Sequence, residues 1–144
     1  MVSAMLDARL HGVLSEVPEV GAAYLFGSRA GSGGRLDSDV DVAVLFRPEV
    51  DAARRFQLRC ELGERLASAA GTERADVVDL EAAPPLLARE VLRHGRLLLS
   101  RDEAARVAVV ARQTMRYIDT RPLRRVLDEA TFRRIREGSF GRLP

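Results

Sequence analysis

The sequence contains no lysine and only one cysteine, and both shortages exclude particular functions. All 23 basic residues are arginine, so the phosphate-binding loop that ends in Gly-Lys-Ser/Thr cannot be present. Cys60 alone cannot form an internal disulfide, which favours a reducing compartment and predicts a cytoplasmic protein. With one cysteine and two histidines, a zinc site is not expected. Apolar runs such as 42–46 are too short to span a bilayer, and residues 1–20 show no secretory signal.

The chain has 144 residues, enough for one domain with a modest core. Charge is distributed unevenly along it. Residues 1–111 carry 14 arginines and 17 acidic residues, a net charge of −3. Residues 112–144 carry 9 arginines and 4 acidic residues, a net charge of +5. We expect this basic tail to dock a partner protein. A solvated face ranks second and nucleic-acid binding third, since aromatic residues are sparse there.

Hydrophobic periodicity predicts an alternation of helices and short strands. Helices are predicted over 6–17, 51–70, 86–94, 102–118 and 123–135, strands over 22–26, 40–46, 74–80 and 96–100, and a loop over 31–37. In the second helix Phe56, Leu58, Leu62 and Leu66 are expected to face inward, and Cys60 is expected to be a small core residue. The order of elements predicts an α+β fold, with an α/β-type mixed sheet backed by helices.

The segment YLFGSRAGSGGRLDSDVDVAVLF, residues 24–46, places two aspartates at the start of a strand. Asp39 and Asp41 are two residues apart and therefore project to the same face, about 7 Å apart. Two neighbouring carboxylates repel unless a cation lies between them, and Mg²⁺ prefers such oxygen ligands. Taken alone, the pair is better explained as a polar strand entry, because Asp and Ser are common at turns.

The dipeptide Gly27-Ser28, at the end of the preceding strand, favours the functional interpretation. Glycine lets the backbone approach a phosphate closely, so phosphates and metal carboxylates would meet in one site for a nucleotide triphosphate with Mg²⁺. A third carboxylate would complete a two-metal site. Asp76 and Asp79 are the candidates; they are predicted to lie on opposite strand faces, and Asp76 is favoured because it begins its strand.

The spacing Gly27-Ser28, ten residues, Asp39-x-Asp41 resembles the signature of the DNA polymerase β-like nucleotidyltransferase superfamily. Together with residues 80–102, it is similar to the minimal nucleotidyltransferases, or MNT proteins. The resemblance covers residues 1–102 and implies a nucleotidyltransferase domain of that extent. Residues 103–144 would form a helical, arginine-rich extension that packs on the domain or on a partner.

The resemblance also implies roles for individual residues. ATP would be the substrate and two Mg²⁺ ions the cofactors, with Asp39 and Asp41 binding both ions and Asp76 binding the catalytic one. Relatives often read Gly-Ser-Arg-Ala-Arg-Gly, whereas here Gly31 replaces the second arginine, and Arg35 would supply the missing contact. The expected nucleotide-binding residues are Gly27, Ser28, Arg29, Arg35 and Ser38.

MNT proteins are commonly antitoxins of HEPN-domain ribonuclease toxins, and the leading hypothesis is transfer of AMP to a tyrosine of such a partner. One alternative is an antitoxin that neutralises its partner by binding, with little catalysis. A further alternative is a small-molecule transferase of the aminoglycoside-modifying type, which generally needs more chain than follows Ser100.

Overall fold

The computed structural model describes residues 2–30 and 39–120 of the chain. The elements in chain order are α1 (Val2–Ser15), β1 (Val20–Phe26), a short 3₁₀ turn (Gly27–Ala30), β2 (Val40–Phe46), α2 (Ala52–Ala70), β3 (Ala75–Asp79), α3 (Pro85–His94), β4 (Arg96–Ser100) and α4 (Glu103–Asp119). These elements confirm the predicted α+β fold and the predicted order of helices and strands through 118. The loop predicted over 31–37 and the helix predicted over 123–135 lie outside the described residues.

The four strands form one mixed sheet in the order β3-β2-β1-β4. β1 pairs antiparallel with both β2 and β4, whereas β2 pairs parallel with β3. The carboxyl end of β1 therefore lies beside the amino ends of β2 and β3. This arrangement gathers the end of one strand and the beginnings of two others at a single edge of the sheet.

Helices cover both faces of the sheet. One face packs against α1 and α2, where Leu10, Leu14, Leu62 and Leu66 meet the alternating valines of β2. The other face packs against α3 and α4, where Leu87, Val91 and Val109 meet the residues between those valines. All seven residues of β2 are buried, which explains why its sequence reads as a nearly continuous apolar run.

Residues just outside the helices determine where α2 and α4 begin and end. The Asp51 carboxylate accepts a hydrogen bond from the Arg54 amide at 2.8 Å, and Gly71 closes α2 in the left-handed conformation with φ of 71°. The Asp102 carboxylate accepts in the same way from the Ala105 amide at 3.1 Å. Within residues 2–30 and 39–120, no helix is long and apolar enough to cross a membrane.

The predicted inward face of α2 was wrong at two positions. Leu58, Leu62 and Leu66 are buried, but the Phe56 side chain is 66% exposed and Cys60 is exposed. Successive residues turn by about 100° around a helix axis, so a residue two positions from a leucine of this row lies about 200° away from it. Phe56 and Cys60 both have that offset from Leu58 and therefore face solvent.

α4 buries a different face from the one with the most apolar residues. Val109 and Gln113 are buried, whereas Val107, Met115 and Ile118 are each more than half exposed. The Gln113 amide donates hydrogen bonds to the Leu80 carbonyl at 2.8 Å and to the Glu81 carbonyl at 3.2 Å. These backbone acceptors need a polar partner, so they help to orient the helix.

Candidate active site

The Gly27–Ala30 turn follows β1 directly, at the edge where three strand ends meet. Gly27 has a φ of 76°, a left-handed conformation that side-chain-bearing residues rarely adopt. A Cβ atom at this position would lie 2.4 Å from Oδ2 of Asp41, closer than any real contact. Glycine is therefore required here twice, by its backbone conformation and by the carboxylate that lies against it.

Asp41 is the buried carboxylate of this edge, with only 2% of its surface exposed. The strand register pairs it with Phe26 on one side and with Asp76 on the other. Aligned residues of neighbouring strands project to the same face, so Asp41 and Asp76 lie side by side. Asp39 stands immediately before β2, two residues from Asp41 along the chain. The structure thus brings Gly27, Asp41 and Asp76 together.

Asp79, the other candidate for the third carboxylate, lies on the opposite face. It pairs in register with Val44, three residues after Asp41, so its side chain projects away from that of Asp76. Its Oδ2 forms an ion pair with Arg55 at 3.2 Å, and its Oδ1 accepts a hydrogen bond from the Glu81 amide at 3.0 Å. The predicted separation of Asp76 and Asp79 on opposite faces is confirmed, and Asp79 stabilises the end of β3.

One arginine contributes positive charge to this acidic edge, and a second lies in the adjacent turn. Arg29, the third residue of the Gly27–Ala30 turn, is buried, with 8% of its surface exposed. The Arg74 guanidinium lies 3.7 Å from Oδ1 of Asp76, on a side chain that is 56% exposed. A pair this exposed contributes little to stability, so Arg74 mainly offsets local negative charge.

The carboxylates suit a hard divalent cation, although they do not form a complete cage. Within the described ranges 2–30 and 39–120, no group of three Asp, Glu, His or Cys side chains is close enough to hold a metal ion. Mg²⁺ is typically bound by one or two carboxylates together with substrate phosphates and water, so a closed cage is not required. Adjacent Asp41 and Asp76, beside a glycine turn without a Cβ, provide that kind of partial site.

Two of the predicted nucleotide-binding residues, Arg35 and Ser38, lie outside the described residues. Sequence reasoning also missed a residue that contacts the turn. Arg96, the first residue of β4, donates hydrogen bonds to carbonyl oxygens at the end of the Gly27–Ala30 turn. The only signal in the sequence was an arginine directly after Gly95, at the start of a strand that pairs with β1.

A polar network beneath α4 was missed as well. The Arg106 guanidinium donates to the hydroxyl of buried Tyr24 at 2.8 Å and contacts the Glu103 carboxylate. Hydrogen bonding from Arg106, and then from Ser100, lowers the pKa of Glu103 from 4.5 to about 2. The same contact with Glu103, together with Tyr24, raises the pKa of Arg106. This network joins α4 to β1.

The family of the chain follows from its sequence. Residues 9–104 match the model of the polymerase β nucleotidyltransferase family, which is more than half of the chain. The chain therefore belongs to the polymerase β nucleotidyltransferase family. This match confirms the resemblance first seen in the spacing of Gly27-Ser28 and Asp39-x-Asp41.

The chain is also similar to individual proteins and solved structures. Over 82 residues the chain is 35% identical to the protein adenylyltransferase MntA of Shewanella oneidensis. That alignment covers 57% of this chain and 55% of MntA, so the chain spans about half of that relative's length. A crystal structure of a toxin–antitoxin complex with AMP-PNP superposes with a TM-score of 0.66 and 26% identity, covering 88% of this chain and 98% of that chain. The MNT antitoxin bound to tri-AMPylated Shewanella oneidensis HEPN toxin shares the fold, with a TM-score of 0.65, 24% identity, and 90% and 98% coverage.

Proposed function

We propose that this chain is a Mg²⁺-dependent adenylyltransferase that transfers AMP from ATP to a tyrosine hydroxyl of a partner HEPN toxin and thereby neutralises the toxin. The observation that carries this proposal is the strand register that brings Gly27, Asp41 and Asp76 to one edge. The adenylyltransferase name of the Shewanella relative and the AMP-PNP complex of the 26% identical structure support the choice of AMP. ATP as the donor and the single cysteine favour the cytoplasm as the compartment.

The Gly27–Ala30 turn is proposed to bind the triphosphate. The space that a side chain at Gly27 would fill is taken by the Asp41 carboxylate. The proposed phosphate donors are therefore the amide and the hydroxyl of Ser28, which follows Gly27 in the turn. Arg29 adds a guanidinium, whose donors match phosphate oxygens. Arg35 and Ser38 complete the proposed nucleotide-binding set from the sequence alone. The proposed role of these groups is to hold the triphosphate near the carboxylates.

Asp39 and Asp41 are proposed to hold two Mg²⁺ ions, and Asp76 to hold the one beside the acceptor hydroxyl. When bound, such ions neutralise the charge that develops on the attacking and leaving oxygens. The tyrosine hydroxyl gives up its proton to solvent, and its oxygen forms a bond to the α-phosphorus. The bond between the α-phosphorus and the bridging oxygen breaks, and pyrophosphate leaves with the electron pair of that bond. Because Asp41 is buried, its carboxylate is held in a fixed orientation for this task. No covalent intermediate with the protein is needed, so the chain acts by positioning and charge.

The test is an intact-mass measurement on the HEPN protein encoded beside this chain, after incubation with the chain, ATP and Mg²⁺. We expect the mass of the partner to rise by whole AMP units. Asp41→Asn is expected to reduce the transfer rate by a factor of 100 or more, on the order of the loss seen when one charge-stabilising group is removed from an active site. Asp79→Asn is the matched control, because it removes a carboxylate of β3 from the opposite face.

The outcomes separate the competing functions. Transfer that is equally fast in Asp41→Asn would refute the proposed site. Full neutralisation of the toxin by an Asp39→Ala/Asp41→Ala protein that transfers no AMP would instead establish an antitoxin that acts by binding. Protection of cells from an aminoglycoside by this chain alone would favour a small-molecule acceptor.

A further inference from the structure

The Arg96 side chain links the Gly27–Ala30 turn to α1. Its Nη1 donates to the Ala30 carbonyl at 2.5 Å, and its Nη2 lies 3.5 Å from the Arg29 carbonyl. Its Nε and Nη2 donate to the two carboxylate oxygens of Asp7, at 3.1 and 2.9 Å. One guanidinium therefore binds a carboxylate of α1 and the last two carbonyls of the turn at the same time.

These contacts satisfy a need that arises from the shape of the turn. The last carbonyls of a short helical turn have no intrahelical partner, and they carry partial negative charge. A guanidinium offers several donors in a rigid plane, so it can serve these carbonyls and a carboxylate together, which a lysine ammonium does less well. The bidentate bond to Asp7 fixes that plane from the other side.

The backbone of Arg96 is itself held against β1. Arg96 pairs in register with Leu25, two residues before Gly27. At the preceding residue, Gly95, a Cβ atom would lie 2.5 Å from the Val91 carbonyl and 3.1 Å from the Leu25 carbonyl. The end of α3 and the start of β4 thus approach β1 as closely as glycine permits. This close packing places the Arg96 side chain at a defined distance from the turn.

We propose that Arg96 is a positioning residue for the nucleotide, because it holds the Gly27–Ala30 turn in the orientation that receives the triphosphate. Asp7 anchors Arg96 in this role. Arg96 contacts carbonyls of the turn, so it acts through the turn and not on the nucleotide itself. The inference rests on the proposed nucleotide-binding role of the turn and adds the residue that sets the geometry of the turn.

The experiment compares the full chain with its Arg96→Gln, Arg96→Lys and Arg54→Gln variants. Arg54 is the matched control, because two of its donors also bind a carboxylate, that of Glu19. Glu19 directly precedes the first residue of β1, whereas the turn follows the last residue of β1. Backbone amide exchange at residues 27–30 reports the order of the turn without any nucleotide. Calorimetric titration with ATP in the presence of Mg²⁺ reports binding, and thermal unfolding reports general stability.

We expect faster amide exchange in the turn and about a tenfold weaker affinity for ATP in Arg96→Gln, since one charge-assisted hydrogen bond is on the order of a tenfold effect. Arg96→Lys should show a smaller loss of affinity, because lysine retains the positive charge. Some loss should remain, because an ammonium group cannot bind the Asp7 carboxylate and the turn carbonyls in one plane. Arg54→Gln should resemble the unmodified chain in turn exchange and affinity, even if it unfolds at a similarly lowered temperature.

Three results would overturn the inference. Equal turn exchange in Arg96→Gln and in the unmodified chain would show that Arg96 does not hold the turn. Faster exchange with unchanged affinity would show that holding the turn does not matter for the nucleotide. If the unmodified chain binds no ATP, both the proposed function and the inference fail. The amide-exchange measurement would still show whether Arg96 orders the turn.

Discussion

Substitution of Gly27 by alanine tests whether the turn and the buried carboxylate form one structural unit. Two separate costs are expected. A left-handed conformation costs an alanine about 1–2 kcal/mol relative to its preferred conformations. The new Cβ would also lie 2.4 Å from Oδ2 of Asp41, so the carboxylate must move by about 1 Å to reach the 3.4 Å of an ordinary contact. Such overpacking typically lowers the free energy of unfolding by a further amount of roughly 1–3 kcal/mol.

Gly71 provides the control that separates these two costs. It has a φ of 71°, nearly that of Gly27, but among residues 2–30 and 39–120 no other group lies within 4 Å of the position of its Cβ. Gly71→Ala should therefore lose only the conformational part, about 1–2 kcal/mol. The difference between the two variants reports the contact with Asp41. For a chain of this size, roughly 1–3 kcal/mol corresponds to a difference in melting temperature of about 3–10 °C.

The assay pairs thermal unfolding with the AMP-transfer measurement. A displacement of about 1 Å at a reacting group can lower the rate by about 100-fold, so Gly27→Ala should lose most of its transfer activity even where it is fully folded. Gly71→Ala should retain its activity. If the two variants have equal melting temperatures and equal activities, the close contact between Gly27 and Asp41 does not determine the site, and the reasoning is refuted.

The remaining predictions concern carboxylates outside the site. Asp79→Asn should lower the free energy of unfolding by about 1–3 kcal/mol, because it removes the charged acceptor from one donor of the largely buried Arg55. AMP transfer that falls as far as in Asp41→Asn would contradict the placement of Asp79 on the opposite face. Arg106 lowers the pKa of Glu103 from 4.5 to about 2, so Glu103 stabilises the fold above pH 4.5, and this contribution is lost as the pH falls toward 2. Unfolding measured from pH 6 to 2 should show a weaker acid dependence in Glu103→Gln, and identical curves would contradict the assignment.

The two errors on α2 show what the sequence alone does not resolve. Phe56 and Cys60 are apolar enough to belong to a core, but the leucine row at 58, 62 and 66 already determines the inward side of the helix. The same holds for α4, where the buried Gln113 faces inward because its amide reaches backbone carbonyls that lie far away in the chain. A residue type indicates that burial is favourable, but the neighbouring elements determine which side is buried.

Local chemistry in the sequence determined the strands, the ends of α2 and α4, and the two-residue spacing of Asp39 and Asp41. These features depend on residues within a few positions of one another, so periodicity and capping predict them. The tertiary structure decided which distant residues meet: Asp41 beside Asp76, Gly27 against the Asp41 carboxylate, and Arg96 between Asp7 and the turn. Such contacts follow from the order and the register of the strands. Order and register depend on how the whole sheet packs between its two layers of helices, so no single segment of the sequence encodes them.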